Sequence, residues 1–313
     1  MNLSLLSKYR TELMGVAVIM VILCHIACDV PGMNSILRKI LNYGNAGVDI
    51  FLFASGYGMY FSLSDGNSTI GQWYRRRFTR VLIPYFLIAI PYWIFATVRD
   101  GGSVASFLFN FSTLSFWTNH VGAWYMAMLL PLYLGTPLLY RLLSGRHRYV
   151  CAALLIVLSA AFCMLDFKSA PGSAVLANIQ FTTGRFPAFV AGMLAGPAIK
   201  SGSGQAGWIV FALLAAAFIP VKLFCTPTLV FPVLGIAFAL LFVAVIEAIG
   251  CVPMNALLNK LGKMSLEAYL CNIFLRYALL PYEINAVLIA VLAIIIAFAF
   301  NSLSVYLISR SKI

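Results

Sequence analysis

Charge is what this chain has least of. Only 10% of its 313 residues are Asp, Glu, Lys or Arg, and nine are acidic. A soluble domain carries about 25% charged and about 45–50% apolar residues, whereas 62% are hydrophobic here. That excludes an ordinary water-soluble globule. Histidine is scarce, at three, and the seven cysteines form no CxxC pair. Their spacing suits no zinc framework, so no metal is expected. Cys24, Cys28, Cys151, Cys163, Cys251 and Cys271 fall in apolar runs and Cys225 in a short loop, so small apolar filler is their expected role. No fixed-period repeat, low-complexity tail or soluble module is visible. Residues 1–313 therefore read as a single integral-membrane domain with no fused extracytoplasmic domain.

What is present is apolar sequence in runs of roughly 18–25 residues, the length that crosses a hydrocarbon core. About ten spans are expected, at 11–28, 45–63, 81–98, 122–140, 149–166, 183–199, 206–221, 228–249, 265–280 and 285–309. The fold class is then all-α, a polytopic membrane helical bundle of about ten transmembrane helices. The first run passes His25 into Cys28 and Asp29 with no small-residue cleavage site, so it reads as a retained span and not a signal peptide. With the N-terminus inside, Lys8, Arg10, Arg75, Arg76, Arg77, Arg80, Arg141, Arg146, Arg148, Lys200, Lys260, Lys263, Arg310 and Lys312 fall on one side. This bias predicts that both termini are cytoplasmic. It also assigns much of the +12 net charge to topology and contact with anionic membrane lipids, with no nucleic acid partner.

Loops are short, so chemistry must sit within or at the edge of the bundle. The stretch ELMGVAVIMVILCH ends on His25, about 22 Å above Arg10 at 1.5 Å per residue. The second span opens on GVDIFLFASGYGM, which puts Asp49 at a similar depth. Ionisable groups in a span are costly and usually face the bundle interior or water. Asp49 could orient the imidazole and stabilise its protonated form; equally, the two could form a structural interhelical hydrogen bond. Gly44, Gly47, Ser55, Gly56 and Gly58 suit close helix packing more than ligand contact. In WYRRRFTRVLIPYF, Arg75, Arg76, Arg77 and Arg80 stand where the chain re-enters the membrane. They suit either phosphate groups or positive-inside anchoring.

The aromatic-rich segment 103–120 reads as an interfacial or re-entrant piece. Trp124 and Tyr125 suit an interfacial aromatic belt or a platform for a sugar ring. Arg185 has no obvious partner in the sequence and suits acceptor or carbonyl binding; Glu267 would pair with it or cap its own helix. Glu12 is expected to pair with Arg10 or Lys8, and Glu247 to snorkel.

GVDIFLFASGYGM, RRRFTRVLIPYF, GRFPAFVAGML (Gly184 to Leu194) and LGKMSLEAYLCNIFL (Leu261 to Leu275), in that order, resemble the integral-membrane acyltransferase-3 family. These are ten-helix proteins that O-acylate sugars of surface and secreted glycans. The resemblance covers nearly the whole chain; joint order and topology carry it, not any single motif. The family pattern has Leu-Arg-Gly followed by a histidine eleven residues after the Arg. Here Leu13-Met14-Gly15 and His25 stand at that spacing. Met14 departs from the family arginine, and Arg10, one turn earlier on the same face, is the candidate substitute, displaced by about 6 Å. Asn272 departs from the histidine that usually ends the family's Ser-x-x-x-Tyr-Leu-x-His pattern, while Ser265, Glu267, Tyr269 and Leu270 are retained.

The resemblance implies a multi-pass protein of a bacterial inner or plasma membrane. It implies acetyl-CoA as donor, bound from the cytoplasm with its phosphates on Arg75, Arg76, Arg77 and Arg80, and a glycan or lipid-linked sugar as acceptor. His25 is then the general base, oriented by Asp49, with Arg10, Trp124, Tyr125, Arg185 and Glu267 as substrate-binding candidates. Arginines and His25 lie far apart, so either the pantetheine arm stretches through the bundle or the acyl group hops through a covalent intermediate on His25 or a tyrosine. Some family members carry a fused hydrolase-like domain; a separate extracytoplasmic transferase would be the counterpart here. The rival class, a transporter or flippase for an anionic metabolite or lipid-linked sugar, requires symmetry between halves. The Gly-rich opening at 44–58 has no counterpart in 180–313.

Overall fold

The computed structural model describes residues 1–66, 68–167, 169–202 and 206–311. Lys312 of the expected inner charge cluster lies outside them. The helices follow as α1 (Ser4–Lys8), α2 (Arg10–Asp29), α3 (Ser35–Asn42), α4 (Gly47–Ser64), α5 (Ile70–Arg99), α6 (Val104–Phe111), α7 (Leu114–Asn119), α8 (Trp124–Ser144), α9 (Arg148–Met164), α10 (Ser173–Thr183), α11 (Phe186–Ser201), α12 (Gly207–Phe224), α13 (Pro227–Ile249), α14 (Val252–Lys263), α15 (Ser265–Leu279) and α16 (Ala286–Arg310). No strand occurs among the described residues. Each expected span falls on one helix. Among the described residues, α2, α5, α8, α12, α13 and α16 are long and apolar enough to cross a membrane. The helices α4, α9, α11 and α15 fall short of that length or hydropathy.

The largest departure from the expected boundaries is at α5, which begins at Ile70 where a loop to residue 80 was expected. The Thr69 side chain accepts from the Gln72 backbone N–H and the Gln72 side chain accepts from the Thr69 N–H, a reciprocal capping box. Arginine is also a good helix former. The four arginines therefore project from a helix and not from a loop. Pro84 and Pro91 lie inside α5; buried membrane helices tolerate them because neighbouring groups satisfy the freed carbonyls. The 103–120 segment is two short helices, α6 and α7, joined at Thr113, whose φ of 68° is left-handed. The 29–44 connection, read as a loop, contains α3, on which Ile36 and Ile40 are largely exposed.

The chain packs as two compact units. One comprises Met1–Val21, Tyr43–Asn67 and Gly135–Lys263; the other comprises Ile22–Asn42, Ser68–Leu134 and Met264–Ile313. In the first, α4 lies against α11 at a glycine crossing: a Cβ added to Gly56 would overlap the Phe189 carbonyl oxygen, and one added to Gly192 the Phe53 carbonyl oxygen. Gly15 on α2 and Gly262 on α14 make a second crossing, against the carbonyls of Leu258 and Thr11. Without side chains at these points the backbones approach closely, which is how membrane helices gain packing energy. Lys8 pairs with Glu247 at 2.7 Å, while Glu12 accepts from Asn259 Nδ2 at 3.0 Å. The expected Lys8–Glu12 proximity is thus replaced by contacts between helices.

In the second unit α15 packs against α5 and α16. The Tyr92 ring stacks on Phe274 with centroids 4.6 Å apart, and Trp93 meets Phe274 edge-on at 6.0 Å. Asn285 caps α16 by accepting from the Val287 and Leu288 N–H groups.

Candidate functional site

The second unit holds the histidine that the sequence singles out. His25 lies in the last two turns of α2, facing α15. Its Nδ1 is 2.5 Å from Asn272 Oδ1. One turn further along both helices, the Arg276 guanidinium forks onto Asp29, with Nε to Oδ2 at 2.5 Å and Nη2 to Oδ1 at 2.6 Å. Asp29 and Arg276 side chains are 9% and 19% exposed, so solvent screens this pair little. Three residues before Asn272, and so on a shared helix face, Tyr269 is buried with its hydroxyl accepting from the Tyr125 N–H at 3.3 Å. The Tyr125 and Tyr269 rings meet edge-on at 5.6 Å, and Trp124 stands edge-on to Tyr125 at 6.2 Å. Tyr125 is buried and Trp124 half-buried. The unit thus gathers an imidazole, an amide, a shielded ion pair and an aromatic cluster.

The arginine group lies on α5 of the same unit. Arg75 Nη2 donates to the Ser311 carbonyl at 3.2 Å, Arg76 donates to Ser68 Oγ, and Arg77 lies over the Trp73 ring at 6.0 Å. Arg75 and Arg80 are exposed, Arg76 and Arg77 half-buried. Trp93 touches Phe274, two residues beyond Asn272. From Arg80 to Trp93 is about 20 Å of helix at 1.5 Å per residue.

Glu267 belongs to this unit as well and is 4% exposed. It accepts from Asn301 Nδ2 of α16 at 3.2 Å. Within this unit Asn301, one helix away, provides the nearby donor to the Glu267 carboxylate, which stands in the first turn of α15.

The first unit contains the remaining candidates. Asp49, in the first turn of α4, and Arg185, the residue capping the start of α11, form an ion pair in which both side chains are 0% exposed. Arg185 Nη1 also donates to the Asn45 carbonyl at 3.5 Å, and its guanidinium lies 4.3 Å from the Phe231 centroid and 5.8 Å from that of Phe181. Asp49 Oδ1 has no hydrogen-bond partner among the described residues. Within the first unit the partner of Asp49 is a guanidinium, which answers a buried carboxylate in charge and donor geometry better than a neutral imidazole does; within the second, His25 takes Asn272. Arg10 Nε donates to the Ala54 carbonyl at 3.3 Å and its guanidinium lies 5.8 Å from the Tyr57 ring centroid. Gly58 leaves room for it, since a Cβ there would come within 2.7 Å of Arg10 Nη2.

Sequence reasoning missed Asp29, Arg276 and the link from Asn272 to His25. A signal existed in the matched spacing: 25 to 29 and 272 to 276 are each one helical turn. A carboxylate in one set and a guanidinium in the other is the complement that two facing helices need.

No curated protein and no solved structure matches the chain. The acyltransferase domain family model matches residues 13–309, nearly the whole sequence, and the crossing of Gly56 and Gly192, the arginine turn and the His25–Asn272 contact lie within those residues. The chain belongs to the acyltransferase-3 family of multi-pass membrane proteins and is an acyltransferase.

Proposed function

We propose that this acyltransferase moves an acetyl group from cytoplasmic acetyl-CoA to a hydroxyl of a cell-surface or lipid-linked glycan, with His25 as the general base. In this reading the bundle has ten spans and both termini are cytoplasmic. The observation that carries it is His25: an imidazole in the second unit, held through one ring nitrogen by Asn272, in a chain whose family match spans 13–309. A hydroxyl is a poor nucleophile until its proton is taken, and an imidazole nitrogen that carries a lone pair can take it. The hydroxyl oxygen bonds to the thioester carbonyl carbon, His25 takes the hydroxyl proton, the C–S bond breaks, and the proton leaves with the CoA thiolate.

Arg75, Arg76, Arg77 and Arg80 receive the donor phosphates. Guanidinium groups grip phosphate with two parallel hydrogen bonds; all four stand near the N-terminus of α5, and Arg77 and Arg80, three apart, share a helix face. The long pantetheine arm covers the distance along α5 from Arg80 to Trp93. Trp124, half-buried beside Tyr125, offers aromatic surface to the sugar ring. Asp49 and Arg185, Arg10 and Glu267 are each engaged inside their own unit, and in this reading they position helices and do not touch substrate.

The test is transfer of radiolabelled acetyl from acetyl-CoA to a glycan extract by purified protein in lipid nanodiscs. His25→Ala is expected to bind acetyl-CoA with wild-type affinity and to lose at least about 100-fold in transfer, the contribution of a positioned base. Transfer at the wild-type rate by His25→Ala removes the histidine from the chemistry. Absence of acetyl-CoA binding by the wild-type protein removes the donor assignment.

A further inference from the structure

α2 and α15 are joined by two stacked rungs. The first is His25 Nδ1 to Asn272 Oδ1 at 2.5 Å. The second, one turn on, is the two-bond fork of Arg276 on Asp29. The forked pair fixes how far one helix can slide or rotate past the other. It also draws both oxygens of the Asp29 carboxylate to the guanidinium, while the imidazole faces Asn272. The partner of the imidazole is an amide that is 2% exposed.

The chemistry of that amide decides the state of the ring. An amide oxygen only accepts hydrogen bonds, so a neutral His25 facing Asn272 Oδ1 carries its proton on Nδ1. The lone pair is then on Nε2, which points away from Asn272. A carboxylate would impose the same tautomer and add a charge; a histidine, the residue usual in the family at this position, could impose either. Asn272 cannot titrate, so its Oδ1 offers the same acceptor to the neutral ring at every pH.

We propose that Asn272 is the positioning residue that fixes His25 as its Nδ1–H tautomer and so makes Nε2 the basic nitrogen, with the Asp29–Arg276 pair holding the two helices in the register this contact requires. The proposal rests on the reading of His25 as general base for its consequence in catalysis. The tautomer itself does not depend on that reading and is measured separately.

The first measurement is the 15N spectrum of full-length protein in lipid nanodiscs, labelled at histidine. With three histidines in the chain, the His25 signals are those lost in His25→Gln. Wild type is expected to show a protonated Nδ1 and an unprotonated Nε2. The opposite tautomer, or an equal mixture of the two, overturns the proposal without need of any Asn272 variant. Asn272→Leu is expected to give a mixture of tautomers and to lose about 100-fold in acetyl transfer, while acetyl-CoA binding stays within twofold of wild type. Asn272→Asp, which keeps the acceptor, is expected to keep the tautomer and restore most of the transfer. An Asn272→Leu spectrum identical to wild type sinks the assignment of Asn272. Loss of the tautomer with full retention of transfer sinks its catalytic role. If His25→Gln itself transfers normally, it is the base reading that fails, and the spectrum still decides the tautomer.

Discussion

Arg185→Met isolates the energetics of the buried pair. Arg185 and Asp49 are both fully shielded from solvent, and Asp49 Oδ1 already lacks a hydrogen-bond partner among the described residues. Removing the guanidinium therefore strands a solvent-shielded carboxylate without its cation. Breaking a buried pair from one side costs about 3–5 kcal/mol. At about 2–4 °C per kcal/mol for a domain of 150–250 residues, that corresponds to a fall in Tm of about 10 °C. Asp49→Leu/Arg185→Met removes both charges. Apolar replacement of a whole buried pair is often neutral. The double variant is thus expected within about 3 °C of wild type, well above Arg185→Met. Thermal unfolding in detergent, followed by tryptophan fluorescence, reads all three proteins. The reasoning is refuted if Arg185→Met melts within 2 °C of wild type, or if the double variant melts as low as the single one.

Gly192→Val and Gly56→Val place a branched side chain where even a single Cβ overlaps a facing carbonyl. Each is expected to abolish a monodisperse peak in size-exclusion chromatography, whereas Gly71→Ala, at a position with open space around it, should leave the peak unchanged. Replacing Arg76 or Arg77 with Gln is expected to raise KM for acetyl-CoA about tenfold, the worth of one charged hydrogen bond, with kcat within twofold; an unchanged KM in steady-state assays would return these arginines to a purely topological role.

How much of this was legible in the sequence differs by kind of interaction. The helices were, because an apolar run of spanning length has few other ways to satisfy its backbone groups in a membrane, and each of the ten expected runs lies on a helix. The start of α5 was not, because four arginines mask a helix whose signal is the Thr69–Gln72 cap and not hydropathy. Site residues were found by type but not by partner. Asp49, His25, Arg185 and Glu267 each stand out as polar groups in apolar surroundings, but depth along a helix says nothing about which face a side chain occupies. Rotation about the helix axis decides that Asp49 meets Arg185 and that His25 meets Asn272. The packing glycines were read correctly at Gly47 and Gly56 because a missing Cβ serves close approach whatever the partner.

The helices of the first unit differ widely in how much of themselves they commit to the protein. In α13, 56% of the apolar window is buried; in α12 it is 6%, with Ile209, Leu213, Ile219, Leu223 and Phe224 all more than 60% exposed. A residue whose neighbours are fluid hydrocarbon is constrained by its solubility in that hydrocarbon and not by its shape. Selection on α12 thus acts on a sum and not on positions: Leu, Ile, Val and Phe can replace one another there freely, and the helix can diverge between lineages as fast as mutation supplies apolar codons. The crossing of α4 and α11 has no such freedom, since at Gly56 and Gly192 a single added carbon meets backbone. Variation among relatives should therefore concentrate on α12, and a residue on that helix that resists it would mark something other than lipid at its surface.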